Sequence, residues 1–425
     1  MHLPVWGKGR RMKNKIDSSL IKALVWTVLG MVVMIFGTYY LVYGDFRFWD
    51  AIYKRTFLSI CILGYLAAGI VSLRIKRFSF REQLGIAAFV ITVVLCIMLS
   101  VIAVGRVYYS RKFLVIFYLF TVFWTGLGLY MYRNPKSLFY LICPVGLGFE
   151  LASKGSRRWE LLEKPELHKG CDGIIIDYHE KISPEWMRFI ANVSLTNIPI
   201  YHAATVYEKV TGRISLRHLS SGVVSGFRIP KIYFAVKRFL ECFTIILALP
   251  VVLPLCLFAV ILIKSNSKGP VLFIQERVGR GGKPFRMYKF RTMITESEAQ
   301  GAKFTCTNDS RIIPMGKFLR KFRIDELPQL VNVFKGDMSL IGPRPEQVCF
   351  VKEFEREIPF YAYRHLTSPG ITGWAQVVQG YAAGVEETEE KLSYDLYYVK
   401  YMGFWLDLLI FIKTVKTILT GFGSK

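Results

Sequence analysis

The sequence predicts a membrane protein in three parts: a four-helix transmembrane bundle (1–132), a small cytoplasmic α/β domain (133–226) and a mainly helical C-terminal domain (227–425) anchored by a re-entrant membrane helix. Three observations support this prediction. Apolar residues make up 52% of the 425 residues, which is high for a soluble protein. Four long apolar runs come first, and a later one is interrupted by prolines. The formal net charge of +25 suits an anionic membrane surface or another polyanionic partner.

The four N-terminal runs each approach the length that crosses a bilayer, roughly 17 to 25 residues. They cover residues 23–43, 57–73, 84–104 and 113–131. The first run is too long for the core of a signal peptide, and no small-residue cleavage site follows it before the next loop. We therefore expect it to be retained as a transmembrane helix.

Basic residues are divided unevenly among the short loops of this bundle. Six precede the first run and four join the second to the third, whereas the two other loops carry three each. Cytoplasmic loops of membrane proteins carry an excess of Lys and Arg. We therefore expect both ends of the bundle, and the domains that follow it, on the cytoplasmic side.

Residues 133–226 have the composition of a soluble domain. Strand-like GIIIDYHE (173–180) and IPIYHA (198–203) flank the helical pattern SPEWMRFIANV (183–193), which predicts a small α/β unit. PVGLGFEL (144–151) is similar to a dinucleotide-binding loop, but Leu151 occupies the third glycine position and no preceding strand with a full βαβ unit is evident. We interpret it as a turn after the bundle, in an abbreviated Rossmann-like domain.

Residues 239–263 form a further apolar run that contains Glu241, Pro250 and Pro254 and is flanked by basic residues on both sides. An interior proline removes a helix hydrogen bond and favours a kink. We predict a re-entrant helix that bends near Pro254 and returns to the side from which it entered. The alternative is an ordinary kinked transmembrane helix, since such helices tolerate proline.

Residues 264–345 hold sixteen Lys and Arg against seven Asp and Glu, among many Gly and Pro turns. Guanidinium groups match phosphate oxygens in bidentate geometry, so Arg291, Arg320 and Arg344 are candidates for phosphate contacts. Each could equally lie on a solvated charged face. No helix-turn-helix, zinc-finger or RNA-binding pattern is present, so no nucleic acid partner is expected. The neighbouring membrane segment favours a lipid-linked substrate.

The stretch RIDELPQL (323–330) places two adjacent carboxylates, Asp325 and Glu326, behind a basic run. Asp325 could be the N-cap of a helix whose first turn contains Pro328, and the helix dipole would then favour the ionised carboxylate. Alternatively, carboxylates among phosphate-binding cations suit nucleophilic attack on phosphorus and ligation of Mg²⁺. The residues by themselves are compatible with both interpretations.

Three motifs in sequence form a more specific pattern. They are KGPVLFIQERVGRGGKPFRMYKFRTM (268–293), KFLRKFRIDELPQLVNVFKGDMSLIGPRPE (317–346) and PGITGWAQV (369–377). With these motifs the chain from about Lys237 onward resembles the bacterial sugar transferases, the monotopic phosphoglycosyl transferases that use polyprenyl phosphate. The four N-terminal runs and the following α/β segment resemble the long-form members of that family.

The resemblance implies a reaction at the cytoplasmic face of the bacterial inner membrane, in contact with membrane lipids. A UDP-sugar would give its sugar-1-phosphate to an aspartate with release of UMP. Undecaprenyl phosphate would then accept the group, which starts the assembly of an exopolysaccharide, capsule or O-antigen type glycan.

The resemblance also implies roles for individual residues. Asp325 would be the nucleophile and a ligand of the Mg²⁺ cofactor, Glu326 its partner in a catalytic dyad, and Pro254 the bend of the re-entrant helix. The implied substrate-binding residues are Lys289, Arg291, Arg320 and Arg344.

Four positions depart from the family pattern. The Ser-Pro pair at the bend is Leu253-Pro254, an aspartate early in the re-entrant helix is Glu241, and an arginine before PGITG is Ser368. Residues 378–381, VQGY, replace an Asn-Gly-Arg run that is expected to contact sugar or nucleotide. The dyad itself is unchanged.

Two other functions remain compatible with the residues. An ordinary glycosyltransferase would release UDP, and a non-catalytic scaffold would use its basic face to bind anionic lipid. Eight cysteines and six histidines are scattered singly, which predicts neither a disulfide framework nor a zinc site. Residues 396–422 are typical of an interfacial amphipathic helix or of a core helix. The sequence names neither the sugar nor the oligomeric state, and a homo-oligomer is compatible with it.

Overall fold

The computed structural model describes residues 18–44, 47, 52–74, 80–131, 139–154, 159–168, 170–196, 198–219, 227, 231–266, 268–293, 311–380 and 384–420. The chain divides into two compact units, Met1–Ala203 and Ala204–Lys425. The basic residues before position 18 and two of the four between the second and third helices, Lys76 and Arg77, lie outside the described residues. The three-part division at residues 132 and 226 stays a prediction.

The first unit begins with long helices. They are α1 (Ser18–Val33), which continues through a π-helical turn (Met34–Thr38) into α2 (Tyr39–Tyr43), then α3 (Ile52–Arg74), α4 (Phe80–Val104) and α5 (Arg111–Met131). Three segments among them are long and apolar enough to cross a membrane, namely Leu24–Tyr43, Gln83–Val104 and Arg111–Met131. The prediction of several long apolar helices near the start of the chain is confirmed.

These helices pack on one another through apolar and aromatic faces. Met34, Cys61 and Phe113 are fully buried in one cluster. The rings of Trp26 and Trp124 stack with centroids 4.4 Å apart, and each indole N–H donates to the main-chain carbonyl of the other. Many apolar side chains on the outer faces stay exposed, which is compatible with a surface that faces lipid.

A four-stranded parallel sheet follows in the same unit. Its elements are β1 (Tyr140–Ile142), α6 (Leu147–Ser153), β2 (Trp159–Leu161), β3 (Gly173–Ile176), α7 (Pro184–Ser194) and β4 (Ile200–His202), with the strands in the order β2-β1-β3-β4. Leu141, Ile174 and Phe189 are buried in the core between the sheet and α7. The strands and the helix predicted over 173–180, 183–193 and 198–203 are present.

The interpretation of residues 144–151 as a turn without a preceding strand is wrong. Strand β1 ends at Ile142, and residues 144–151 form the end of the following turn and the first part of α6, with Gly146 at a φ of +52°. The main-chain N–H of Leu147 donates to the carboxylate of Asp177, which follows β3 (2.9 Å), and a Cβ on Gly146 would meet that carboxylate at 2.4 Å. Sequence periodicity misses β1 because only three residues are extended.

The second unit is mainly helical, as the sequence predicts for the C-terminal part. Its helices are α8 (Ala203–Thr211), α9 (Lys231–Asn266), α10 (Pro314–Lys321), α11 (Gln329–Lys335), α12 (Val348–Glu357), α13 (Trp374–Val378), α14 (Val385–Tyr401) and α15 (Phe404–Thr420). Its strands are the antiparallel hairpin of β5 (Leu272–Val278) and β6 (Pro284–Phe290) and the parallel pair of β7 (Ser339–Ile341) and β8 (Gly370–Thr372).

The segment that begins with α8 packs against α14. Glu208 accepts hydrogen bonds from Lys400 at 2.8 Å, and Arg213 forms an ion pair with Glu390 at 2.7 Å. The main-chain N–H of Ile214 donates to the carbonyl of a residue in α14. These residues were assigned by composition to the middle domain, but their contacts here lie within the second unit.

Helix α9 runs through both of its prolines and is also long and apolar enough to cross a membrane. Ile245 lies in an apolar cluster with Met287 of β6. Ile263 lies in another cluster with Phe290 of the same strand. In a straight helix Ile245 and Ile263 would be roughly 27 Å apart, whereas Met287 and Phe290 are about 10 Å apart along β6. Residues from both halves of α9 therefore lie in clusters with the same strand, and the re-entrant bend near Pro254 stays a prediction.

The single helix predicted over residues 396–422 is wrong, because α14 ends at Tyr401 and α15 begins at Phe404. Met402 between them has an extended backbone (φ −50°, ψ 129°), which ends the first helix. Ile410 in α15 is fully buried, whereas Val415 further along is 42% exposed. The first half of α15 is therefore a core helix, whereas its second half has exposed side chains at Val415 and Lys416.

Candidate active site

Asp325 and Glu326 lie in one tight turn of 3₁₀ helix (Ile324–Glu326) between α10 and α11. Arg323 enters this turn in the left-handed region, with φ 54° and ψ 26°, a conformation that costs free energy for a non-glycine residue. The Asp325 residue is 9% exposed and Glu326 is 7% exposed. The turn thus buries two neighbouring acids.

The prediction that Asp325 caps a helix is wrong. Pro328 occupies the N-cap position of α11, and no side-chain hydrogen bond caps that helix. The left-handed backbone at Arg323 starts the 3₁₀ turn earlier in the chain, so Asp325 lies inside that turn rather than at the start of α11. Its ionisation therefore depends on surrounding charges and not on a helix cap.

Three cations from different parts of the second unit surround Glu326. Arg344 Nη2 donates to Glu326 Oε1 at 3.1 Å, and Lys289 Nζ lies 3.6 Å from the same oxygen. Arg323 Nη1 contacts the other oxygen, Oε2, at 3.3 Å. The carboxylate of Glu326 therefore holds β6, the turn and the loop after β7 together.

The charge on Glu326 is stabilised by these partners. Burial by itself would raise the pKa of Glu326, but the nearby charges of Arg344, Lys289 and Arg323 outweigh it and lower the pKa to about 2. Glu326 is therefore ionised throughout the physiological pH range.

Asp325 has a different environment. Burial and the negative charge of Glu326 raise the pKa of Asp325 to about 6, although Lys289, Arg320 and Arg344 act against this shift. Among the residues that the structure describes, Asp325 forms no ion pair within 4.0 Å, unlike its neighbour. Its carboxylate is ionised at neutral pH without being engaged by a side-chain cation at contact distance.

Lys289 lies on β6 beside the dyad. Burial and the positive charges of Arg344 and Arg277 lower the pKa of Lys289 to about 8, although Glu326 and Asp325 favour its charged form. The ammonium group is thus charged at neutral pH and close to the range in which it loses its proton.

Asn332 of α11 fixes β6 next to the dyad. The Asn332 side chain accepts from the main-chain N–H of Tyr288 (3.0 Å) and donates to the carbonyl of Arg286 (2.7 Å). Asn332 is fully buried, and Tyr288 directly precedes Lys289. Sequence reasoning missed this residue because its partners lie more than forty positions earlier in the chain.

The other predicted site residues have separate positions. Arg320 Nε donates to the hydroxyl of Thr292 at 2.9 Å, and its charge acts on the pKa of Asp325. Arg291 is buried and donates to the main-chain carbonyl of Lys268 at 3.0 Å, a contact that joins the two ends of the β5–β6 hairpin. Pro254 lies inside α9. The assignment of Arg291 to substrate binding stays a prediction.

Arg323 was not among the predicted site residues. In the sequence it belongs to a basic run, but its guanidinium reaches Glu326 three residues later. The i, i+3 spacing of opposite charges was the available signal, but only the turn at Arg323 brings the pair into contact.

The predicted Mg²⁺ can be tested against the donors of this site. Within the described parts of the chain, no three His, Cys, Asp or Glu residues cluster closely enough to hold a metal ion by themselves. Mg²⁺ is usually held by one or two carboxylates together with water and substrate phosphates. Asp325 supplies such a carboxylate with no cation in contact, so the residues fit a Mg²⁺ that arrives with a phosphate-bearing substrate.

Fold and site together define a class: a membrane enzyme whose buried acids lie among cations suited to phosphate chemistry. A family model described as bacterial sugar transferase matches residues 232–421. The UDP-N-acetylgalactosamine-undecaprenyl-phosphate N-acetylgalactosaminephosphotransferase of Aeromonas hydrophila is 40% identical over 388 residues, 90% of this chain and 91% of that protein. The chain therefore belongs to the bacterial sugar transferase family, and its enzyme class is that of a sugar-1-phosphate transferase.

Two further relatives match shorter parts of the chain. The UDP-glucose:undecaprenyl-phosphate glucose-1-phosphate transferase of Caulobacter vibrioides is 40% identical over 187 residues, which cover 43% of this chain and 70% of the relative. A putative undecaprenyl-phosphate N-acetylgalactosaminyl 1-phosphate transferase of Bacillus subtilis is 46% identical over 132 residues, 31% of this chain and 74% of the relative. These relatives are named for different sugars, so membership of the family alone does not fix the sugar.

Proposed function

We propose that the protein transfers a sugar-1-phosphate from a UDP-sugar to undecaprenyl phosphate through a covalent intermediate on Asp325, with release of UMP. One observation carries the proposal: in the dyad, Glu326 contacts three cations, whereas Asp325 contacts none among the described residues. A carboxylate that is ionised and not engaged in an ion pair is suited to attack phosphorus.

In the first step, a carboxylate oxygen of Asp325 attacks the β-phosphorus of the UDP-sugar. The bond between that phosphorus and the bridging oxygen breaks, and the oxygen leaves with UMP. The product on the enzyme is an aspartyl phosphate that carries the sugar. Arg344 and Lys289, which Glu326 holds beside the dyad, would neutralise the charge on the phosphoryl oxygens.

In the second step, a phosphate oxygen of undecaprenyl phosphate attacks the same phosphorus. The bond to Asp325 breaks, its carboxylate is restored, and undecaprenyl diphosphate sugar is formed. Glu326 stays ionised in both steps and keeps its three cations in place. A Mg²⁺ bound by Asp325 and the substrate diphosphate would supply further neutralisation of phosphate charge.

For the sugar, we propose N-acetylgalactosamine as the first one to test. The relative that covers most of this chain is named for that sugar. Several shorter matches are named for glucose, so UDP-glucose is the second donor to compare.

We also propose that α9 is re-entrant at the inner face of the cytoplasmic membrane and that the second unit lies on the cytoplasmic side. Ile245 and Ile263, in the two halves of α9, lie in apolar clusters that also contain residues of β6, which supports this topology. A helix that crossed the bilayer would place about 30 Å of hydrocarbon between its two ends, whereas both clusters contain residues of the single strand β6.

Thiol labelling checks this topology. A cysteine in place of Ser265, an exposed residue near the end of α9, should react with an impermeant reagent only after the cells are opened. A cysteine at Arg47, in a loop expected outside, should react in intact cells and serves as the control. Labelling at position 265 in intact cells would contradict re-entry.

Lys289 should set the alkaline limit of activity. The protonated ammonium neutralises phosphate below its pKa of about 8 and loses that role above it, so kcat/KM should fall as pH rises through about 8 to 9. Lys289→Arg keeps a charge at these pH values and should move the decline upward by one pH unit or more, measured as nucleotide release. A wild-type profile that stays level up to pH 10 would contradict this role.

The nucleotide product tests the proposed function. Membranes that contain the protein are given UDP-N-acetylgalactosamine, undecaprenyl phosphate and Mg²⁺, with UDP-glucose and omission of Mg²⁺ as parallel arms. We expect UMP in equal amount to the lipid product. Release of UDP would identify an ordinary glycosyltransferase, and absence of any nucleotide with all donors would favour a scaffold.

A further inference from the structure

The loop that carries Arg344, here called the arginine loop (residues 342–346), is held along its main chain. Four of its carbonyls accept hydrogen bonds from elsewhere in the second unit. The acceptors are the carbonyls of Pro343 (from Gly370 N–H, 2.9 Å), Arg344 (from Arg364, 2.8 Å), Pro345 (from Arg277, 3.3 Å) and Glu346 (from Val278 N–H, 3.0 Å). A loop held at this many points presents the Arg344 side chain in one place.

Arg364 makes the contact to Arg344 itself. One guanidinium nitrogen of Arg364 donates to the Arg344 carbonyl at 2.8 Å and lies 2.8 Å from the carboxylate of Asp395. The other donates to the hydroxyl of Tyr361 at 2.6 Å. The side chains of Arg364 and Asp395 are both only 2% exposed, so this is a fully buried ion pair.

A buried ion pair is weak evidence for stability, because removing two charges from water costs nearly as much as their attraction returns. Here Arg364 connects three separate elements: the turn that contains Tyr361, the arginine loop and, through Asp395, helix α14. A planar guanidinium can meet all three partners at once, whereas a lysine ammonium cannot reproduce that geometry.

Helix α14 holds the same loop at a second point. Lys391, one turn before Asp395, forms an ion pair with the carboxylate of Glu346. Arg277 lies 3.8 Å from the other oxygen of Glu346. Two residues of the arginine loop are thus held by charged side chains of α14. Arg344 is held by Asp395 through Arg364, and Glu346 is held by Lys391.

We propose that Arg364 and Asp395 are positioning residues of the reaction, which hold the arginine loop so that the guanidinium of Arg344 stays against Glu326. Neither residue contacts Glu326 or Asp325 in the described contacts, so they act through Arg344. The proposal rests on the proposed function only in that Arg344 is taken to serve phosphate transfer.

The path from α14 to the dyad is short. Asp395 fixes Arg364, Arg364 fixes the Arg344 main chain, and the Arg344 side chain contacts Glu326 at 3.1 Å. A displacement of about 1 Å in a catalytic group can cost about 100-fold in rate. Loss of the buried pair should therefore appear in turnover and not only in stability.

A double-mutant cycle separates positioning from a general structural role. The variants are Arg364→Lys, Arg344→Met and the combination, with total nucleotide release measured for kcat and KM and thermal unfolding measured alongside. We expect Arg344→Met to lower kcat/KM about 100-fold and Arg364→Lys about 10-fold or more. Because Arg364 acts through Arg344, the double variant should lie within about 3-fold of Arg344→Met alone.

Losses that multiply to about 1000-fold in the double variant would overturn the proposal. If Arg364→Lys does not fold, Asp395→Asn takes its place in the same cycle, because it keeps the size of the side chain and removes the charge that fixes Arg364. In that cycle, losses in kcat/KM that multiply in the double variant would overturn the proposal, and a double variant close to Arg344→Met alone would support it.

Glu208→Gln is the matched control. Glu208 is an acid 4% exposed at its side chain and paired with Lys400 on the same helix α14, but it has no described contact with the arginine loop. It should lower the unfolding temperature to a similar extent and leave kcat/KM within about 2-fold. A loss equal to that of Asp395→Asn would also count against the proposal. The cycle uses total nucleotide, so UDP in place of UMP would reject the proposed function without affecting this test.

Discussion

Asp325→Asn should lower kcat for sugar-phosphate transfer by about 10⁴-fold, in the range observed when a catalytic aspartate is removed. An amide of the same size fills the same space but is a poor nucleophile toward phosphorus. Because burial already disfavours the charged carboxylate, the neutral amide should be tolerated by the fold. The measurement is UMP release from the UDP-sugar by purified protein in lipid, with thermal unfolding followed in parallel.

Asp172→Asn is the control for that variant. Asp172 lies in the first unit and accepts a hydrogen bond from the main-chain N–H of Phe139. The substitution therefore also removes one aspartate charge, but outside the unit that contains the dyad. Its activity should stay within about 2-fold of the wild type, since surface charge changes away from a site have small effects. Activity of Asp325→Asn equal to that of the control would remove Asp325 from the mechanism.

Glu326→Gln should lower kcat/KM by about 10²- to 10³-fold, the range found when one preorganised electrostatic group is lost. The amide leaves Arg344, Lys289 and Arg323 without their shared negative partner. Three partly buried cations would then repel one another, and their side chains would leave the positions that favour phosphate. Steady-state kinetics with varied UDP-sugar would separate the effect on KM from that on kcat.

Glu353→Gln on the exposed face of α12 provides the comparison for Glu326→Gln. Glu353→Gln should leave kcat and KM nearly unchanged. If Glu326→Gln retained full kcat and KM, the cations would be held by other means and Glu326 would have no part in positioning them.

Much of the site follows from the sequence because it lies within continuous motifs. Asp325, Glu326 and Arg344 are only 19 positions apart at most, and Lys289 lies in a neighbouring motif. In the structure, Glu326 contacts both Lys289 and Arg344, so residues of the two motifs lie together. Long helices follow equally well from hydropathy, because a long apolar run needs no partner to be recognised.

Local rules fail where the backbone does something unusual. The helix-cap interpretation of Asp325 follows from an acid before a proline, but the left-handed Arg323 places Asp325 in a 3₁₀ turn instead. The same turn brings Arg323 onto Glu326, a contact that a basic run does not indicate. A short strand such as β1 has too few residues to show a period.

Contacts distant in sequence cannot be read from the sequence by itself. The pair of Arg364 and Asp395 joins positions 31 residues apart, and Arg364 reaches Arg344 from 20 positions away. Their partners are set by the packing of α14 against the arginine loop, which no periodicity encodes. The prolines of α9 predict a bend, whereas the clusters that join Ile245 and Ile263 to residues of β6 appear only in the fold.

The central claim is that a sugar-phosphate becomes bonded to Asp325. Purified protein in lipid is given radiolabelled UDP-sugar and Mg²⁺ without undecaprenyl phosphate, quenched in acid and analysed by mass spectrometry. We expect one equivalent or less of rapidly released UMP, a matching sugar-phosphate adduct on the peptide that contains Asp325, and loss of the adduct when undecaprenyl phosphate is added. UMP that appears only when the lipid acceptor is present, with no adduct on that peptide, would contradict the account.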